Sequence, residues 1–242
     1  MKRLRMRNSR VDLIIQLKLA MTSSNDQFEH VKAVILSCHG DTSAEEKMNF
    51  YDTWADNYDQ DVSVLEYHAP VFASKTVSSH FTGERKSARV LDVACGTGLL
   101  KKLGFEHFVG IDGSKAMLEM AKNTTMYQDL KICMLGSQPL PVDHDAFDVV
   151  IIVGGLSVGN VPVKVARELC MATKTGGYIC LTTRSNQDNL AYKACLEQEL
   201  KTLEEQGLWR RVQVVNVDQW ERAVSHDEQG YIPGAVYLYQ RL

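Results

Sequence analysis

The residues best placed to do chemistry lie in the segment Leu91-Asp92-Val93-Ala94-Cys95-Gly96-Thr97-Gly98. An apolar run there ends in glycines, and a turn without Cβ atoms lets the backbone approach a ligand closely. A helix starting behind such a turn aims its first N–H groups at that ligand. A bare G-x-G is often only a tight turn, so the surrounding residues must narrow the chemistry. The dinucleotide fingerprint G-x-G-x-x-G fails, because Lys101 stands where close helix–strand packing needs a small residue. Asp92 sets a carboxylate beside the loop. Asp112 closes the next apolar run, about twenty residues on, where a carboxylate can accept both hydroxyls of a ribose. The alternative role for Asp112 is an acid at a helix N-terminus, favoured by the dipole. An adenosine ligand without a pyrophosphate fits a loop that lacks the phosphate-binding spacing.

Elements that could hold this loop follow from hydrophobic periodicity. Before the loop, helices are expected over 26–39, with Phe28, Val31, Ile35 and Cys38 on one face, over 44–58 and over 64–79. From position 88 strands and helices alternate. Strands are expected over 89–94, 107–111, near 131–135, over 147–153 and over 178–183. Helices are expected over 98–103, 115–122 with Ser114 as N-cap, 162–173 and 187–206. Two late strands lie near 212–217 and 235–240. The repeated strand–helix–strand order implies an α/β fold: a doubly wound, mostly parallel seven-stranded sheet, Rossmann-like, with an N-terminal helical cap. Such sheets bind ligands at the carboxyl ends of the strands, where strand order reverses.

Residues 90–98 and Gly110-Ile111-Asp112-Gly113-Ser114-Lys115-Ala116-Met117-Leu118 closely resemble the first two motifs of the class I S-adenosylmethionine-dependent methyltransferases. Leu140-Pro141 followed by Phe147-Asp148-Val149-Val150 resembles that family's approach to strand 4. Across about 46–240 three further segments are similar to the Williams–Beuren-region methyltransferase-like proteins. They are Phe50-Tyr51-Asp52-x-Trp54-Ala55-x-x-Tyr58-Asp59-Gln60-Asp61, Gly154-Gly155-Leu156-Ser157 and Leu181-Thr182-Thr183-Arg184-Ser185-Asn186. The resemblance implies S-adenosyl-L-methionine as cofactor and assigns roles. Ala94, Gly96, Thr97 and Gly98 would face its methionine part, with Asp92 near the amino group. Asp112 and Gly113 would hold the ribose. Met117 and Leu135 would line the adenine, Gly136 and Ser137 would supply polar edge contacts, and Val153 would lie beneath. Tyr51 and Tyr58 would close over the cofactor or, equally, pack an amphipathic helix on the core.

Two departures stand out. Gly136 occupies the region where many family members carry an acid that reads the adenine amine. The stretch between Gly98 and Asp112 is shorter by about four residues, roughly one helical turn, so the helix behind the loop must be very short.

Methyl transfer from a sulfonium is a direct displacement, in which the protein aligns a nucleophile and excludes water. A general base is needed only if the nucleophile must lose a proton. No catalytic residue is therefore assigned. Ser157, Asn160, Arg184 and Asn186 are candidates near the acceptor, each with an ordinary role as a loop or capping residue. The sequence shows no nucleophile elbow, Walker loop or zinc spacing, and no metal is expected. His39, His68 and His80 are scattered. The N-x-P-P-Y signature of base-amine methylation is absent, and no basic cluster flanks Gly154-Gly155-Leu156-Ser157. That favours a small molecule or protein acceptor over nucleic acid. The rival classes are a non-catalytic cofactor-binding protein acting through a partner and, disfavoured by Lys101, a nicotinamide oxidoreductase.

Composition agrees with an ordinary globular chain: 242 residues, 45% hydrophobic, 24% charged, net charge −3. No apolar run approaches a membrane span, and a monomer without membrane or nucleic-acid partners is expected. Six cysteines lie mostly in apolar runs without C-x-x-C pairing, as reduced core thiols do. Residues 1–25 are expected to be a disordered or dispensable leader, with Met21 as an alternative start, and 26–242 one methyltransferase domain (26–86 cap, 87–242 core). The basic leader suits a mitochondrial presequence as the alternative to a cytoplasmic location.

Overall fold

The computed structural model describes residues 24–38, 44–98, 103–224 and 228–242. Of the expected leader, residues 1–23 lie outside these, whereas Ser24 and Asn25 open the first described helix; of the short helix expected at 98–103, residues 99–102 with Lys101 lie outside. Among the described residues three helices come first: α1 (Ser24–Cys38), α2 (Ala44–Val64) and α3 (Ala69–His80). Helix α2 runs past its expected end at 58. Its acidic stretch is tolerated because Trp54 Nε1 donates to the buried Asp61 Oδ2 at 2.7 Å. The break follows at Glu66, which turns left-handed at φ 54°. Pro70 then opens α3, where its missing N–H costs nothing. The expected helix over 64–79 is corrected accordingly.

The remainder is one sheet with flanking helices: β1 (Arg89–Val93), β2 (His107–Asp112), α4 (Lys115–Asn123), β3 (Tyr127–Ile132), β4 (Phe147–Ile152), α5 (Val165–Ala172), β5 (Thr173–Arg184), a 3₁₀ turn (Gln187–Asn189), α6 (Leu190–Glu205), β6 (Trp209–Arg222) and β7 (Tyr231–Arg241). The sheet has seven strands in the order β3-β2-β1-β4-β5-β7-β6. Strands β1 to β5 are parallel, and β7 runs antiparallel to β5 and β6. The expected fold class is the observed one. Strand order reverses between β1 and its neighbours β2 and β4, so the loop after β1 opens at the switch point of the sheet.

Side chains alternate between two cores. Leu91, Val93, Ile111, Val150, Ile152, Ile179 and Leu181 meet α5 and α6 on one face. Val90, Phe108, Val149, Ile151, Cys180 and Trp220 meet α3 on the other. Strand β3 lies at 127–132 rather than near 131–135. As an edge strand it is largely polar, and pairing with β2 rather than its own periodicity sets its limits. Strands β5, β6 and β7 are longer than expected, and α5 begins at Val165 rather than 162. Cys95, Cys133, Cys170 and Cys180 are buried free thiols, whereas Cys195 is exposed on α6. Among the described residues, no helix is long and apolar enough to cross a membrane.

Candidate functional site

The β1 loop is a tight left-handed turn. Ala94, Gly96 and Gly98 take φ of 55°, 54° and 87°. Glycine adopts these angles freely, whereas Ala94 holds its angle at a cost of about 1–2 kcal/mol. The turn is pinned from below. Cys95 N donates to Ile111 O at 3.0 Å, and Gly98 N to Cys95 O at 3.0 Å. Gly96 N donates to Asp112 Oδ2 at 2.8 Å, while Ser114 N donates to Asp112 Oδ1 at 2.9 Å. The Gly113 N–H also donates toward this carboxylate, whose remaining acceptor capacity faces the cavity. Ser114 caps α4 as expected, accepting from Met117 N at 3.1 Å.

Helix α2 is tied across the top of this turn. Asp52 Oδ1 accepts from Ser114 Oγ at 2.6 Å and from Ala116 N at 3.1 Å. Asp59 accepts from the Thr97 hydroxyl. The Lys47 ammonium donates to Gly159 O in the loop after β4. Lys47, Tyr51 and Tyr58 follow helical spacing, so one face of α2 looks down on the strand ends.

A cavity of about 190 Å³ lies beneath that face. It brings together Tyr51, Tyr58, Ala94, Gly96, Asp112, Gly113, Met117, Leu135 and Val153. Asp92 and Thr97 line an adjoining recess of about 40 Å³, with Tyr58, Ala94, Gly96 and Val153 as common walls. Gly98, Gly136 and Ser137 are not on these walls. A Cβ on Gly98 would lie 3.1 Å from the Tyr127 ring, and one on Gly136 would strike Pro162 at 2.1 Å. Ser137 N closes a turn onto Met134 O at 3.0 Å. A Cβ on Gly96 would meet nothing within 4 Å, so the space above it is open for a ligand. Lys47, Met48, Met134, Gly155 and Val161 also line the cavity and were missed. Lys47 and Met48 sit one helical turn before Tyr51, which is the signal that would have found them.

A second, larger cavity of about 440 Å³ opens from the first. Tyr51, Tyr58, Lys47, Gly154, Gly159 and Asn160 border both. Phe50, Trp54, Tyr67 and Trp220 add apolar wall, and the acceptor candidates Ser157, Asn160, Arg184 and Asn186 all line it. His68 and His80 instead bond to backbone carbonyls, Gln219 O and Thr76 O. His39 lies outside the described residues. Among the described residues no three His, Cys, Asp or Glu side chains cluster to hold a metal.

Burial dominates the electrostatics. Asp92 is 3% exposed, and desolvation pushes its carboxyl up to about 7, although Tyr127 OH donates to it at 2.7 Å. The nearby Asp112 pushes the same way. Burial also raises Asp112, opposed by the N–H groups of Ser114 and Gly96, and raises Tyr58. An acid raised on folding favours the folded state while both states are protonated. Its contribution is lost as pH climbs from the ordinary carboxylate range through about 7. Urea unfolding across pH 4 to 8 should therefore show a fall in stability that flattens in Asp92→Asn. An equal fall in that variant would remove Asp92 as the cause.

Comparison with known proteins gives four findings. A family model described as a methyltransferase domain matches residues 84–230. Methyltransferase-like protein 27 of Homo sapiens is 46% identical over 193 residues, covering 78% of each chain. Demethylmenaquinone methyltransferase of Staphylococcus aureus is 36% identical over 111 residues, 42% of this chain and 45% of that one. Among solved structures, a chain from the complex between the Haloferax volcanii Trm112 methyltransferase activator and a methyltransferase superposes with a TM-score of 0.56. It is 16% identical and covers 79% of this chain and 97% of its own, a likeness of fold.

Proposed function

Because the chain belongs to the S-adenosylmethionine-dependent methyltransferases, we propose that it binds S-adenosylmethionine in the cavity under α2 and methylates a small molecule held in the larger cavity beside it. The observation that carries this reading is the shared border of the two cavities at the switch point of the sheet, with the Asp112 carboxylate facing the smaller one.

The residues present fit the cofactor. Asp112 lines the cavity with acceptor capacity left for the ribose. Gly96 leaves open the space a side chain would fill. Met117, Met134 and Leu135 offer an apolar wall for a base, and Asp92 and Thr97 lie in the recess where an amino acid end would reach. Gly98, Gly136 and Ser137 would act through the turns they form. When bound, the cofactor supplies a methyl group on a positively charged sulfur.

Within this reading the chain mainly positions and dehydrates. Tyr51 and Tyr58, with Lys47 latched onto Gly159, cover the junction and keep water out. Asn160, whose Nδ2 donates to Ser157 Oγ at 2.8 Å, sits at the border and would orient the acceptor. An ammonium group near Asp92 would return that carboxyl toward its ordinary range, coupling cofactor binding to loss of a proton.

A small molecule suits an aromatic-walled cavity of about 440 Å³. A net charge of −3 gives no reason to propose nucleic acid as the acceptor. The test offers methyl-labelled cofactor with three acceptor pools: cell metabolites, RNA and protein. Label should enter the metabolite pool. Label confined to RNA or protein would contradict the assignment.

A further inference from the structure

The larger cavity is also lined by two buried polar side chains that the fold does not fully partner, Glu221 and Asn186. Glu221, on β6, is 9% exposed, and its carboxyl makes no hydrogen bond among the described residues. Burial pushes its carboxyl up, and Arg184 on β5 pulls it back without closing to an ion pair. Asn186 is 6% exposed, and its Nδ2 donates to Glu228 Oε2 at 3.1 Å. A carboxylate only accepts, so that bond fixes the amide's orientation. Asn186 Oδ1 is thereby left buried without a donor. One unsatisfied acceptor, Asn186 Oδ1, and one buried carboxyl group, Glu221, thus line the same cavity. Buried acceptors in native proteins are normally satisfied.

The other charges on this cavity are accounted for. The Lys47 ammonium is taken by Gly159 O, and Glu228 accepts from Asn186 Nδ2 and Gln187 N. Asp188 is exposed to solvent. Arg184 is only half-buried, so water can serve its donors, whereas Asn186 Oδ1 is buried. Trp220, Tyr67, Trp54 and Tyr58 add aromatic rings to the wall of the same cavity.

We propose that the methyl acceptor is a small amine with an apolar body, its protonated nitrogen anchored by Glu221 and Asn186 Oδ1 and its body lying against Trp220 and Tyr67. This rests on the two-cavity reading above and names the acceptor class for the larger one. Glu221 is an anchor that sets specificity, and Arg184 lies to the side of it.

The test is calorimetry on the full chain saturated with S-adenosylhomocysteine. The probes are 2-phenylethylamine, tryptamine and hexylamine, each matched with an acid of similar body: 3-phenylpropionate, indole-3-propionate and heptanoate. At least one amine should bind, and its matched acid should bind about tenfold more weakly or worse. Glu221→Gln should weaken that amine by about tenfold or more. S-adenosylhomocysteine binding by the same variant reports that it is folded. Preference for the acids, amine binding unmoved by Glu221→Gln, or no amine bound to the saturated protein overturns the proposal. Failure of S-adenosylhomocysteine itself to bind the unaltered chain brings down the cofactor assignment, and this proposal with it.

Discussion

Asp112→Ala should weaken S-adenosylhomocysteine binding by about 1–3 kcal/mol, roughly 5- to 150-fold in Kd. The side chain has two tasks. It ties the β1 loop through Gly96 N and fixes the entry to α4 through Ser114 N. Its remaining acceptor capacity would take the sugar. Charge-assisted bonds to a diol are lost on truncation, and the two backbone donors are left to water. Calorimetry on the variant, with thermal unfolding beside it, separates the tasks. A large affinity loss with a small change in Tm marks a ligand contact. Unchanged affinity would mean that another group holds the sugar.

Trp209→Ala should destabilise the fold by about 3–5 kcal/mol, the largest effect expected of a single truncation here. Trp209 is fully buried at the start of β6. Its ring stacks on Tyr239 with centroids 4.5 Å apart, and Nε1 donates to Leu200 O at 3.0 Å. Removing the ring leaves a void between α6 and the antiparallel extension and orphans that carbonyl. The same extension holds Trp220 and Glu221 on the wall of the larger cavity. In urea, the midpoint should fall with the slope unchanged. A loss below about 1 kcal/mol would show that the core refills the space.

The parts of the fold that were legible in the sequence are the strands buried on both faces. Strands β1 and β4 read as continuous apolar runs because helices cover both sides of them. The site residues at their ends, and at the end of β2, were legible with them, since a parallel sheet gathers its strand tips at one edge. Edge strands carry a weaker signal. Strand β3, in Tyr127-Gln128-Asp129-Leu130-Lys131-Ile132, owes its place to β2. Gly136 and Ser137 follow β3 in a turn beside Pro162. Strand β6 runs well beyond its apolar centre because β7 continues to pair with it. Glu221 was therefore never considered. The contributions of Lys47, Met48 and Asp52 depend on how α2 docks over the strand tips, a tertiary fact that no local pattern contains.

A crystal structure of the complex with S-adenosylhomocysteine tests the central claim most directly. It should show the nucleoside crossing the end of β1 above Gly96, both ribose hydroxyls on Asp112, and the sulfur facing the aromatic-walled cavity. A nucleoside bound elsewhere, or a ribose held by a group other than Asp112, would contradict it.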